Sequence, residues 1–310
     1  MRVGPSGVWS LIRQTFREWS EDKAPQLGAA LAFYTALSIA PLLVITLGIV
    51  AFFLGTEAAG GQITQQLGAL VGEEGGNAIE DMIASANKPT EGAVATVLSV
   101  ITLLFGSTGV FGQLQTALNT IWEVKPKPDR GIWGFVRDRF LSFTMVMGMA
   151  FLLLVSLVIT ASLASLGSFL GNPQDSLKWI AQAVNFVVSF GVITLLFGLM
   201  FKLLPDVKMA WRDVWLGAIL TAALFTMGKF AIGLYLGRSS MASSYGVAGS
   251  FVVLLVWVYY SAQILFFGAE LTQVYANQFG SRIIPDENAV PQDEADRAEQ
   301  GRPHVAKKHS

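Results

Sequence analysis

Cysteine is absent from all 310 residues, which excludes disulfides and thiolate metal ligands together. Histidine is almost as scarce: the two present, His304 and His309, both fall at the C-terminal end. A metal-dependent nuclease needs clustered His, Asp or Glu ligands on its water side, and the chain has no His outside the tail and no such cluster in the loops on the side of its termini. No metal, cofactor, nucleic-acid substrate or enzymatic step is therefore expected. The nucleotide-binding pattern G-x-x-x-x-G-K-S/T is missing too, so any transport is passive, ion-coupled or driven by a partner. Charge is the third scarcity. Only 14% of residues are Asp, Glu, Lys or Arg, against roughly 25% in a soluble domain, while 53% are hydrophobic.

The scarce charges leave six long apolar runs: Leu27 to Leu54, Ala93 to Trp122, Phe140 to Gly171, Trp179 to Leu204, Val214 to Leu236 and Gly246 to Asn277. Each exceeds the ~20 residues that a helix needs to cross a ~30 Å hydrocarbon core. Only Lys202, Lys229 and Glu270 are charged inside them. Backbone amides find no water in lipid, so these segments are predicted to be helices. The expected fold is an all-α polytopic membrane protein, a bundle of six transmembrane helices. The first run starts after 26 residues that hold seven charges and is longer than a signal-peptide core, so it is read as a retained span.

Basic residues orient the bundle. Of 21 Lys and Arg, only Lys88, Lys178 and Arg238 fall in the odd-numbered loops, with Lys229 inside a span; the rest lie on the side of the termini. The positive-inside bias then places both termini in the cytoplasm, as for a multi-pass protein of a bacterial inner membrane.

Three segments lie outside the spans. In residues 1–26, Val8, Ile12, Phe16 and Trp19 recur at helical spacing with Arg13, Arg17 and Glu18 between them. That pattern suits a helix lying in the cytoplasmic interface, or else an amphipathic helix packed on other loops. Within the membrane domain, 27–278, the external segment 55–92 carries six carboxylates and one Lys, read either as a solvated face or as a docking surface for an envelope protein. The 279–310 tail, polar and Pro-containing, is expected to be disordered.

Polar residues inside the runs carry the functional reading, because a polar group facing lipid is costly. At ~100° per residue, Tyr259, Gln263, Glu270, Gln273 and Asn277 share one face of the sixth run. Thr108, Gly112, Gln115, Asn119 and Trp122 share one on the second, and Tyr34, Ser38 and the kink-forming Pro41 one on the first. These faces either line a substrate path or hold helices together through interhelical hydrogen bonds. Gly28, Ala32, Ala36 and Ala40 recur every fourth residue opposite Tyr34, a small-residue stripe that admits a neighbouring helix. Lys229 lies too far from Glu270 in depth for a direct ion pair and is also readable as a snorkelling side chain; Lys202 is the better depth match. Asp206, after Pro205, is expected to cap the next segment or to pair with Arg212 or Arg139.

Five ordered segments, ALAFYTALSIAPLL (30–43), FGSTGVFGQLQTALNTIW (105–122), LPDVKMAWRDVWLGA (204–218), YGVAGS (245–250) and WVYYSAQILFFGAELT (257–272), resemble the YihY/virulence factor BrkB family of bacterial inner-membrane proteins. The resemblance covers about residues 8 to 280 and implies six spans. It also implies a link to envelope integrity, to lipid or solute export and to resistance to host killing; the family's older label, ribonuclease BN, is regarded as a misassignment. The matching motif positions are Tyr34, Ser38, Pro41, Gly106, Gln115, Asn119, Pro205, Asp206, Tyr245, Gly246, Gly249, Tyr259, Gly268 and Glu270. Lys229 belongs to no motif.

Three function classes follow: a transporter or translocase for a lipid or other amphipathic or small solute, a non-transporting envelope scaffold that docks partner proteins, and, least supported, a nuclease. Membrane lipids are the expected partners in each membrane reading; the oligomeric state is left open. Topology is directly testable, since the chain has no cysteine of its own. Cysteines introduced at Glu74 and Arg297 and probed in intact cells with an impermeant thiol reagent are expected to label at 74 and not at 297. The reverse pattern overturns the orientation.

Overall fold

A computed structural model of the chain describes residues 5–38, 109–127, 134, 144, 148, 175–238, 249–281 and 283–293. Among them are six helices. Helix α1 is Pro5–Glu21, α2 covers 24–38, α3 covers 109–121, α4 is Asp175–Leu203, α5 is Trp211–Arg238 and α6 is Gly249–Gln278. Three contain stretches long and apolar enough to cross a membrane: Phe186–Leu203, Trp211–Ala231 and Leu254–Gln278. These coincide with the fourth, fifth and sixth apolar runs. The third run apart from residues 144 and 148, the 55–92 segment, Ala40, Pro41, Gly106, Thr108, Tyr245, Gly246 and the end of the tail lie outside the described residues.

α5 packs against both α4 and α6, and α1 lies along α6. The α5–α6 contact rests on a reciprocal pair of motifs. A Cβ added to Gly217 of α5 would overlap Thr272 of α6, and one added to Gly268 of α6 would overlap Thr221 of α5. Each threonine thus seats in the space left by the other helix's glycine. Its hydroxyl is satisfied on its own helix: Thr221 Oγ1 donates to the Gly217 carbonyl at 2.7 Å and Thr272 Oγ1 to the Gly268 carbonyl at 2.6 Å. Thr15, Thr35, Thr116, Thr120, Thr194 and Thr226 make the same bond to the carbonyl four residues back. Such back-bonding lets a threonine sit in an apolar span without a partner helix to bond to.

An aromatic chain ties four elements together. Trp122, just past α3, meets Phe201 of α4 edge-on at 5.9 Å between centroids; Phe201 stacks on Phe197, which meets Phe225 of α5 at 5.7 Å, and Phe225 meets Trp257 of α6 at 6.0 Å. Outward, Phe33, Leu37, Phe186, Val187, Met227 and Phe230 are exposed, as lipid-facing side chains are.

Two two-stranded antiparallel ladders close the end of the bundle at which α3, α4 and α6 finish. β1 (Val124–Pro126) pairs with β4 (Ala289–Pro291) and β2 (Val207–Lys208) with β3 (Ile284–Pro285). One short segment after α6 therefore fastens the loop after α3 to the loop after α4. This corrects the expected tail: residues 283–293 are ordered by strand pairing rather than disordered, and the all-helical expectation gains four short strands. α6 is anchored at the same end by Asp213, buried in the first turn of α5, whose Oδ2 accepts Ser281 N–H at 2.9 Å and Ser281 Oγ–H at 2.7 Å.

α1 joins α2 through a tight corner in which Lys23 has φ 55°, a left-handed conformation that costs a non-glycine residue about 1 kcal/mol. Leu11 and Thr15 turn inward, and Gln278 of α6 donates to Gln14. Burial raises the Glu18 carboxyl above its ordinary pKa; the Gln14 amide, donating at 2.7 Å, opposes this, and the negative charge of Glu123 reinforces it.

The interlocked glycines set a prediction. Gly268→Ala forces its Cβ into Thr221 and is expected to destabilise the protein by about 1–3 kcal/mol, the usual cost of overpacking. Adding Thr221→Ala should recover part of that loss. Thermal unfolding of the two single variants and the double variant in detergent measures the coupling; additive losses would show that the two residues do not interlock.

Candidate functional site

The face of α6 opposite its α5 contact is where polar groups enter the core. Gln263 and Glu270 are seven residues apart, so they point within ~20° of each other, with Gln273 ~60° further round. Gly268 and Thr272 point roughly the other way. The lock with α5 therefore fixes the orientation of the polar face. Gln263 lies against Gly28 of α2, where a Cβ would strike its amide, with Ala262 alongside. At Gly28 the small-residue stripe admits α6; further along it Ala32 is buried and Ala36 half-buried.

Burial on this face is deep. Glu270 is 0% exposed and Gln273 is 6% exposed. Gln263 buries both of its amide atoms with no hydrogen bond to either, and Gln273 Oε1 is likewise buried without one. The indole N–H groups of Trp19 and Trp122 are in the same condition. A buried polar atom without a hydrogen bond costs about 1–3 kcal/mol, so such atoms gather where a water, an ion or a ligand group visits. Of the expected stripe, then, the middle is buried and the ends are open: Tyr259 is 38% exposed, and exposed Asn277 accepts Ile283 N–H at 3.4 Å.

The other expected polar faces do not converge on this one. Ser38 is buried beside Gly109 of α3, with Tyr34 at the same contact and partly open, so this pair marks the α2–α3 approach. Gln115 is half-buried on α3. Asn119 is engaged elsewhere: its Nδ2 donates to Asp206 Oδ2 at 3.0 Å, and its Oδ1 accepts Asp206 N–H at 2.8 Å. Both residues are 5% exposed, and the Asp206 carbonyl accepts Asp286 N–H at 2.9 Å. Asp206 is thus the centre of the junction between α3, the loop after α4 and the β2–β3 ladder. Its expected partner Arg212 lies instead beside Asp213 at 3.7 Å, and Arg139 is outside the described residues.

The lysines are placed by the same contacts. Lys202 donates to the Met209 carbonyl and lies 5.8 Å from the centre of the Trp211 ring, so it serves the α4–α5 connection and not Glu270. Gly228 packs on Tyr260 and Ile264, whereas Gly217 and Thr221 bracket the level of Glu270. Lys229 is thereby about ten residues from that level, roughly 15 Å along the helix. That separation is of the same order as the depth gap expected from the sequence. Residues missed from the sequence are Gly217, Thr221 and Thr272, whose G-x-x-x-T spacing was the available signal, and Asp213. Among the described residues no three His, Cys, Asp or Glu side chains are grouped to hold a metal ion.

The Asn119–Asp206 junction makes a stability prediction. Asn119→Ala removes both bonds from buried Asp206 and is expected to cost about 3 kcal/mol. Asn119→Asp, which adds a second carboxylate, should destabilise at neutral pH and less so at acidic pH. Melting temperatures at pH 5 and pH 8 test this; a neutral Asn119→Ala would refute the junction.

Comparison with known proteins agrees with this architecture. The profile of the family described as virulence factor BrkB matches residues 15–293. A UPF0761 membrane protein of Stenotrophomonas maltophilia is 27% identical over 297 residues, covering 91% of this chain and 64% of the relative. One of Pseudomonas aeruginosa is 26% identical over 253 residues, covering 81% and 59%, and one of Alcanivorax borkumensis is 25% identical over 278, covering 88% and 62%. The chain thus spans less than two thirds of the length of these relatives. No solved structure matches. The matched stretch takes in α2 to α6, the Asn119–Asp206 junction and both ladders, and the chain belongs to the virulence factor BrkB family of integral membrane proteins.

Proposed function

We propose that the chain is a translocase or transporter for a lipid or another amphipathic or small solute, working without enzymatic chemistry or a cofactor. It sits in a bacterial inner membrane with six spans and both termini in the cytoplasm, where it supports the envelope. One observation carries this reading: Glu270 is completely buried on the α6 face that also holds the hydrogen-bond-free amide atoms of Gln263 and Gln273. A carboxylate in the low-dielectric interior is retained mainly where an ion, a proton or a polar headgroup is handled. Two amides on the same face, about 10 Å before it and about 5 Å after it along the helix, offer donors and acceptors to such a group.

A non-transporting envelope scaffold that docks a periplasmic or envelope protein is the second reading, favoured by one specific observation. Asn119 and Asp206, both in the family motifs, bond to each other rather than lining a path. No role for nucleic acid enters either reading.

Substitution at Glu270 separates the two. Glu270→Gln keeps shape and hydrogen-bonding capacity and removes the charge. Under the translocase reading it is expected to express and melt normally yet fail to complement a strain whose envelope depends on this protein. In proteoliposomes it should slow dithionite-detected movement of NBD-labelled phospholipid about ten-fold or more, a barrier change of about 1.4 kcal/mol. Full complementation by Glu270→Gln at native expression removes Glu270 from the mechanism and favours the scaffold.

A further inference from the structure

Helix α1 has three sides, and only one is used inside the protein. Leu11 and Thr15 are buried, with Trp19 partly buried behind them on the hydrophobic core. On the next ~100° of the helix surface stand Val8, Trp9, Ile12 and Phe16, which are 44%, 70%, 42% and 61% exposed. Beyond them, on the side away from the core, come Arg13 and Arg17, both exposed. The helix therefore carries two apolar sides, one packed and one bare, with the bare one bordered by guanidinium groups.

We propose that this outward side of α1 is a binding site for anionic phospholipid headgroups, with its four apolar side chains in the upper acyl region and Arg13 and Arg17 on the phosphates. Three observations carry it, and none depends on whether a substrate crosses the bundle. First, α2 starts directly after the Asp22–Lys23 corner and already exposes Phe33 and Leu37 to the outside. At ~1.5 Å per residue Phe33 and Leu37 stand about 14 and 20 Å along α2 from its start, so the corner and the end of α1 fall outside that lipid-facing zone, toward the headgroups. Second, the charge on the bare side is positive. Glu18 and Asp22 turn inward, and Glu21 reaches Arg17 at 3.6 Å in an exposed pair that a phosphate can displace. Third, an open recess of about 710 Å³ runs along the arginine edge of this side, lined by Ser10, Arg13, Gln14, Phe16, Arg17, Ser20 and Glu21. Two guanidiniums, two hydroxyls and an amide there face one carboxylate, Glu21, which is already paired with Arg17, so the recess still offers donors to a phosphate ester. Trp9, the most exposed side chain of the strip, is of the type that settles at the headgroup level.

The chain, free of cysteine, allows a clean test. Ile12→Cys labelled with NBD is reconstituted in phosphatidylcholine bilayers with and without one quarter phosphatidylglycerol. The label is expected to show blue-shifted emission and quenching by doxyl lipids, with stronger protection from iodide in the anionic bilayer. Competition between brominated phosphatidylglycerol and phosphatidylcholine for the label then gives the headgroup preference. Arg13→Gln combined with Arg17→Gln should lower it several-fold, by up to about five-fold per arginine, and 0.5 M salt should lower it in the parent but little in the variant. Unchanged circular dichroism and elution show that the variant is folded. An iodide-accessible Ile12 label in the anionic bilayer, a preference untouched by the double substitution, or protection that appears only when a second protein is added would each overturn the proposal.

Discussion

The close approach of α5 and α6 is the constraint on which the rest depends. In lipid there is no hydrophobic force between helices, so two spans associate by packing and by hydrogen bonds that they satisfy themselves. Here the packing is glycine against threonine in both directions, Gly217 with Thr272 and Gly268 with Thr221. Each threonine returns its own hydroxyl to the carbonyl of the glycine four residues earlier. No other residue pair meets both demands as cheaply: a bulkier residue for the glycine separates the helices, and a serine for the threonine loses the methyl that fills the space. Because the contact is this tight, α6 cannot rotate, and Gln263, Glu270 and Gln273 are turned away from α5.

How much of this was legible in the sequence depends on the length scale of the signal. A run of twenty apolar residues is unmistakable, and the fourth to sixth runs match observed helices to within four residues at each end. The buried middle of the α6 stripe and the small-residue face at Gly28 were legible as well, because helical periodicity needs only one segment. What escaped was everything that depends on two distant segments. Asn119 and Asp206 are 87 residues apart, and nothing in either motif names the other. Periodicity put Asn119 among path residues because it registers polarity, not the partner that satisfies it. The ladders escaped for a related reason: strands of two and three residues, with Pro126, Pro285 and Pro291 among them, have no alternation to detect and read as polar tail.

That clasp changes how the helix ends are understood. The segment from Ile283 to Gln292 donates or accepts backbone hydrogen bonds with three different parts of the chain: Glu123 and Lys127 after α3, Asp206 after α4, and its own turn at Asp286. Lys208 holds the outside of the same junction, with Glu287 at 3.0 Å and Asp286 at 3.6 Å, and these carboxylates raise its pKa. A membrane protein ties its helices at mid-bilayer through packing and side-chain hydrogen bonds, but at the ends, where water permits irregular backbone, strand pairing becomes available. The bundle uses each device where its solvent allows it.

The contrast between the two ends of α6 also bears on why polar groups without hydrogen bonds persist in its middle. Near its C-terminus each buried aspartate has partners, Asp213 Oδ2 in Ser281 and Asp206 in Asn119, although Asp213 Oδ1 and the Trp122 indole N–H are buried there without a hydrogen bond. The fold is therefore capable of pairing buried carboxylates with care. About four turns and just over one turn back from the end of the same helix, Gln263 and Gln273 leave amide atoms without hydrogen bonds on the face that holds the fully buried Glu270. Leucine at those two amide positions would fill similar space and avoid a cost of about 1–3 kcal/mol for each group. Among the described residues, buried atoms without hydrogen bonds thus occur at both levels, but the middle level combines two such amides with a fully buried carboxylate on one helix face, and that grouping is what the translocase proposal rests on.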